Sequence, residues 1–131
     1  MPDETAVVRQ LIEAFNDRDF DRAARLYAAT YVNHDPLPIA AEGAPSDGTR
    51  GIRGLAATLP DSHCEIAQCV QKGKLVVLHT QVHGHNVHGA FVSVEFITVF
   101  RVEDGLIQES WGLVDSLDLM RKMGITLETA R

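Results

Sequence analysis

Several classes of protein are set aside by what this sequence has little of. No apolar run approaches the roughly 20 residues a helix needs to cross a bilayer, so no membrane span is expected. Twelve Lys and Arg stand against 18 Asp and Glu, a formal net charge of -6. The basic residues form no stripe that could meet phosphates, which argues against a nucleic-acid partner. There are only two cysteines, Cys64 and Cys69, within one strand-like run. A spacing of five sends them to opposite faces of a regular strand, so a bridge between them is not expected. Reduced thiols, and an acidic Met1-Pro2-Asp3-Glu4 start without an apolar stretch, lead us to expect a cytoplasmic protein.

Catalytic signatures are equally sparse. There is no Gly-x-Ser-x-Gly elbow, and neither thiol stands at a helix N-terminus that would lower its pKa. Gly48, Gly51 and Gly54 surround Arg50 and Arg53, but the lysine and spacing of a phosphate loop are missing. His79, His83, His85 and His88 lie close together without metal-ligand spacing, so no metal site is expected.

What is present is an ordinary globular composition, 45% hydrophobic and 23% charged, read as one domain over residues 1–131. A chain of this length buries roughly two-thirds of its unfolded surface. Val7, Val8, Leu11, Ile12 and Phe15 recur at helical spacing, with Asp3 and Glu4 where a helix start favours negative charge. Asp19 can cap a second helix, expected over residues 20–28. Tyr31 to Pro36 reads as a short extended piece, residues 36–48 as a loop, and residues 49–59 as a third helix. Four strand-like runs follow, over residues 63–71, 74–84, 91–102 and 106–114, with Glu103-Asp104-Gly105 as a hairpin turn. A short helix from Ser116 is stopped by Gly124. Helices first and long antiparallel strands after predict an α+β fold whose sheet curls over the helices and encloses a pocket.

Glu109, Trp111, Asp115, Leu117, Leu119 and Gly124 form the pattern E-x-W-x-x-x-D-x-L-x-L-x-x-x-x-G. Together with Tyr31-x-x-His34-x-Pro36, Leu59-Pro60-Asp61 and Phe100 to Gly105, it resembles the SnoaL-like polyketide cyclases of the NTF2-like superfamily. The resemblance covers residues 6–125. It implies an NTF2-like cone, three N-terminal helices packed on a curved, mainly antiparallel sheet with a central pocket. It also implies ring closure by intramolecular aldol condensation without metal or organic cofactor, with Asp115 as acid/base. The pattern departs from relatives at two places. Some carry His-Trp-Asp where this chain has Ser110-Trp111-Gly112, and many carry Gly-Thr-His where it has Gly84-His85-Asn86.

Two roles for Asp115 stay open, a pocket base or the cap of the helix that starts at Ser116. His79 and His83, four apart on one strand, share a face, and Glu95 stands among apolar residues on the next strand. Either they line the pocket as an acid/base set, or they form cross-strand pairs on an outward sheet face. The expected site comprises Asp115, His79 and His34 as acid/base groups, with Trp111, His83, Glu95, Tyr31 and Phe15 contacting ligand. The expected partners are a small hydrophobic molecule and a second copy of the chain through the sheet face. The alternative function is a non-catalytic binding or dimerisation module.

Overall fold

The side chain of Asp3 accepts the Thr5 backbone N–H at 3.1 Å and so opens α1 (Glu4–Asn16) in the computed structural model, which describes residues 3–36 and 47–124. Val8, Leu11, Ala14 and Phe15 are buried along one side of α1, the stripe read from the sequence. Asp19 caps α2 (Phe20–Ala24) through the Arg22 N–H at 3.0 Å. Asn16 ties the end of α1 to the sheet: its amide donates to Cys64 O at 2.9 Å and accepts from Cys64 N at 2.8 Å.

The second helix stops at Ala24, short of the expected residue 28. Leu26 O accepts the Ile107 N–H at 2.8 Å, and β1 (Tyr27–Asn33) runs parallel to β5 (Leu106–Leu113). A strand edge remote in sequence overrides the helical preference of Ala28 and Ala29, a contest that local propensity cannot register. The third helix, α3 (Arg50–Thr58), and the last, α4 (Ser116–Lys122), fall where expected, and Gly124 follows α4 with φ +80°. Of the loop read over residues 36–48, positions 37–46 lie outside the described residues.

β2 (His63–Lys72), β3 (Leu75–His85), β4 (Phe91–Glu103) and β5 form an antiparallel meander, and the sheet order is β1-β5-β4-β3-β2. Asp104 and Gly105 turn β4 into β5 with φ of 56° and 74°, the pair of positive values that a tight two-residue hairpin loop requires.

One inference about the cysteines is corrected. The β2–β3 register slips by one residue between Ile66 and Gln68, so Cys64 pairs with Val82 and Cys69 with Leu78. Both thiols therefore face the same side, because a bulge cancels the odd spacing. Their partners lie four positions apart on β3, about 13 Å along a strand, and both cysteines are free.

α1 and α3 cover one face of the sheet. Phe15, Leu55, Leu59, Cys64, Val82 and Val94 belong to one buried cluster, and Val8, Leu11, Val76, Leu78, Phe100 and Ile107 to another. Ile12 and Ile52 pack against both, and the space between the clusters is the cavity described next.

Candidate active site

Strand parity decides which side chains reach the interior. Val76, Leu78, Thr80 and Val82 on β3 are buried, while Leu75, Val77, His79, Gln81 and His83 between them face outward. Pairing carries this alternation across the sheet, aligning Thr80 with Phe96, Leu78 with Thr98, and Phe100 with Ser110. A cavity of about 460 Å³ lies between this inner face and the helices. Leu11, Ile12 and Phe15 of α1 and Ile52 and Leu55 of α3 form its roof. Its size and mostly apolar wall suit a small organic molecule.

The polar groups of the cavity gather on β1 and β5. The Tyr31 hydroxyl lies 2.6 Å from Ser110 Oγ, and Tyr27 meets Tyr31 edge-on with ring centroids 4.7 Å apart. Burial raises the pKa of Tyr31, partly offset by the hydrogen bond to Ser110. Burial also carries Tyr27 far above the usual phenol range, and Tyr31 and the Asp47 carboxylate add to the shift. Both phenols are therefore held protonated as hydrogen-bond donors. Thr80, Thr98, Asn33 and Asp35 complete the polar lining. Among the described lining residues, Asp35 alone carries a carboxylate and none carries a basic group. Cys64 also lines the cavity, but burial pushes its thiol up to about 11, against a lowering contact with Thr80, so it is not an activated nucleophile.

Of the residues expected at the site, Phe15 and Tyr31 line the cavity. The others lie elsewhere. His79 and Glu95 face outward and pair with each other at 3.1 Å, and His83 sits 3.7 Å from Glu65 on the same outer face. Trp111 pairs with Val99 on that face too, and His34 stacks on it with ring centroids 4.8 Å apart and planes 7° from parallel. His34 Nε2 meets Glu109 Oε2 at 2.7 Å. Asp115 is exposed and is the N-cap of α4, its Oδ1 accepting the Asp118 N–H at 3.0 Å. The pocket reading of His79, His83, Glu95, Trp111, His34 and Asp115 is thus corrected by which face each strand position takes and by the cap. His85 engages Asp61 at 2.6 Å and His88 approaches Gly124 O at 3.3 Å. Among the described residues no group of three or more metal-donor side chains is gathered.

Tyr27, Asn33, Asp35, Thr80, Thr98 and Ser110 were not singled out from the sequence. A signal for the sheet residues was nevertheless there. Every ionisable residue of β3 and β4 stands at an odd position: His79, His83, His85, Glu95, Arg101 and Glu103. The even positions lack charge entirely, which marks the face that is buried.

A helix-covered, curved sheet with an internal cavity of this kind defines an NTF2-like protein. The sequence profile of the SnoaL-like polyketide cyclases matches residues 5–123, and the chain belongs to that family. It is similar to the structure of wild-type IdmH from Streptomyces antibioticus, a protein proposed to be a polyketide cyclase. The two share 25% identity and a TM-score of 0.75 over 95% of this chain and 100% of that one. TsrD from Streptomyces laurentii is 27% identical with a TM-score of 0.70, over 92% of this chain and 97% of that one. A Catenulispora acidiphila protein with a ketosteroid isomerase-like fold, in complex with trimethylamine, shares the fold at 20% identity and a TM-score of 0.68, over 92% and 93% of the two chains. No curated protein matches this chain by sequence. No helix among the described residues is long and apolar enough to cross a membrane.

Proposed function

We propose that this protein is a cofactor-independent acid–base enzyme that closes a ring in a hydrophobic carbonyl compound by intramolecular aldol condensation. The observation that carries this reading is the Tyr31–Ser110 hydroxyl pair, 2.6 Å apart on the wall of a mostly apolar cavity. In such a reaction a base takes a proton from the carbon beside one carbonyl, and the electron pair moves to that carbonyl oxygen as an enolate. The enolate carbon attacks a second carbonyl of the same molecule, forming the C–C bond. The resulting alkoxide takes back one proton, so no co-reactant is consumed. Tyr31, kept protonated by burial, donates to the oxygen on which charge develops.

The flat bicyclic ketone 2-tetralone serves as a probe for this reading. Calorimetry reads its binding, and proton NMR in deuterium oxide reads exchange of its α-protons. Wild-type protein is expected to accelerate exchange, and Tyr31→Phe to reduce that acceleration about 100-fold while binding persists. Binding without accelerated exchange would support a non-catalytic binding module instead.

The outer sheet face supports a homodimer as the working assembly. Val70, Val77, Val99 and Trp111 align in one row across four strands, and Val70, Val77 and Trp111 are 59%, 40% and 36% exposed. Such an apolar row suits a second copy of the same face. Sedimentation equilibrium should find a dimer for the wild type and a monomer for Val77→Glu; a wild-type monomer at micromolar concentration rejects this assembly.

A further inference from the structure

We propose that Asp35, solvent-exposed yet part of the cavity lining, is the general base of the cavity, delivered from beyond the end of β1 to a position beside Gly112. This rests on the acid–base reading above and deepens it by naming the group that removes the proton. The strand geometry puts Asp35 there. β1 runs parallel to β5 with Asn33 opposite Ser110, so continuing the register by two residues sets Asp35 opposite Gly112. His34 N donates to Ser110 O at 2.9 Å, which extends the pairing just past β1. Asn33 Oδ1 accepts the Asp35 N–H at 3.0 Å and fixes the turn of the chain. Asp35 Oδ2 then accepts the Gly112 N–H at 3.0 Å.

Position 112 faces inward, as Ser110 does, and both line the cavity. A Cβ added to Gly112 would meet Asp35 Cβ at 3.9 Å and Asp35 O at 4.0 Å. The glycine therefore leaves the inward position of β5 open, and Asp35 occupies its neighbourhood from the adjacent strand. One carboxylate oxygen is oriented by a backbone donor. Among the described residues Oδ1 accepts no hydrogen bond, which leaves it to take a proton. Tyr31 and Ser110 stand next along the same two strands, so proton acceptor and hydroxyl donors share one polar strip. In the reaction step the substrate α-C–H bond breaks and an O–H bond forms on Asp35. The electron pair goes to the carbonyl oxygen facing the hydroxyls, and Asp35 returns the proton to the alkoxide after ring closure. The other carboxylate considered for this role, Asp115, caps α4 with one oxygen much as Asp35 meets Gly112 with one of its own, but it does not line the cavity.

The test compares wild type, Asp35→Asn, Asp115→Asn and the double variant Asp35→Asn/Gly112→Asp in the 2-tetralone exchange assay, with calorimetric binding of 2-tetralone measured for each. Asparagine can still accept the Gly112 N–H, so Asp35→Asn is expected to fold and to bind the probe, while the enzyme-dependent exchange falls at least about 100-fold. Asp115→Asn should keep exchange within about twofold of wild type, well inside the range that removal of a general base produces. Returning a carboxylate at position 112 should recover at least about tenfold over Asp35→Asn, which a merely structural role of Asp35 would not allow. Exchange that persists in Asp35→Asn, or a loss confined to Asp115→Asn, overturns the assignment and leaves the acid–base reading standing. A wild-type protein that binds 2-tetralone without accelerating exchange overturns both.

Discussion

Asp115 Oδ1 accepts the backbone N–H of Asp118 at 3.0 Å, and this bond commits the carboxylate to the first turn of α4. An N-cap satisfies one of the helix's unpaired amides, and truncating it to alanine typically costs about 1 kcal/mol. Asp115→Ala is therefore expected to lower unfolding stability by about that amount, and Asp115→Asn by only a few tenths, since asparagine caps nearly as well. Urea denaturation of the two variants decides the matter. Equal losses in both would show that the charge, not the cap, is what matters at this position.

Gly48 lies against the ring of Tyr27, where an added Cβ would fall 2.3 Å from Cγ. No side chain fits there unless the tyrosine shifts, and Tyr27 is part of the cavity wall. Gly48→Ala should destabilise the protein by about 1–3 kcal/mol through overpacking and weaken binding of the cavity ligand. A thermal melt and calorimetry with 2-tetralone read both effects; an unchanged melting temperature would mean that the ring moves aside freely.

Glu109 is held below the usual carboxylate range, first by its hydrogen bond with His34 and then by Arg101, whose Nε donates at 2.6 Å. A carboxyl with a lower pKa folded than unfolded adds stability that is fully present above the unfolded value of about 4.3. That contribution is lost as pH falls through the folded value. Glu109→Gln should therefore flatten the fall in melting temperature as the solution is acidified below about pH 4.3. Parallel curves for variant and wild type would sink this account.

Cys64 presents the opposite sign. Burial raises its pKa to about 11, so its stabilising effect is complete below the unfolded thiol value of about 8.5 and is lost as pH rises through about 11. In native protein the thiol should resist iodoacetamide at pH 8, and Cys64→Ser should soften the loss of stability on the alkaline side. Alkylation of Cys64 at the rate of an exposed thiol would contradict the buried, protonated assignment.

The helices and the meander were legible because their signals are local. The apolar stripe Val8, Leu11, Phe15, the caps Asp3 and Asp19, and the Asp104-Gly105 turn each act within a few residues. β1 was only half legible, since Tyr27 joins the sheet through a parallel partner in β5 that no short window contains. Phe15 and Tyr31 were legible as cavity residues, whereas His79, His83, Glu95 and Trp111 lie on the outer face of the sheet. Period two shows that His79, His83 and Glu95 share a side with one another, but only the helices packed over Leu78, Thr80 and Phe100 show which side is inside. Asp115 illustrates the same limit, because one residue can satisfy both a cap pattern and a family pattern until the hydrogen bond to Asp118 is seen.

The sequence alone determined the element order, the α+β class and the resemblance to the SnoaL-like cyclases, because periodicity, capping and turn chemistry are properties of neighbouring residues. Tertiary structure decided the rest: the bulge that turns Cys69 inward, the cavity beneath α1 and α3, and the meeting of Asp35 with Gly112. These depend on register between strands distant in the chain, where a shift of one residue exchanges the two faces of a sheet.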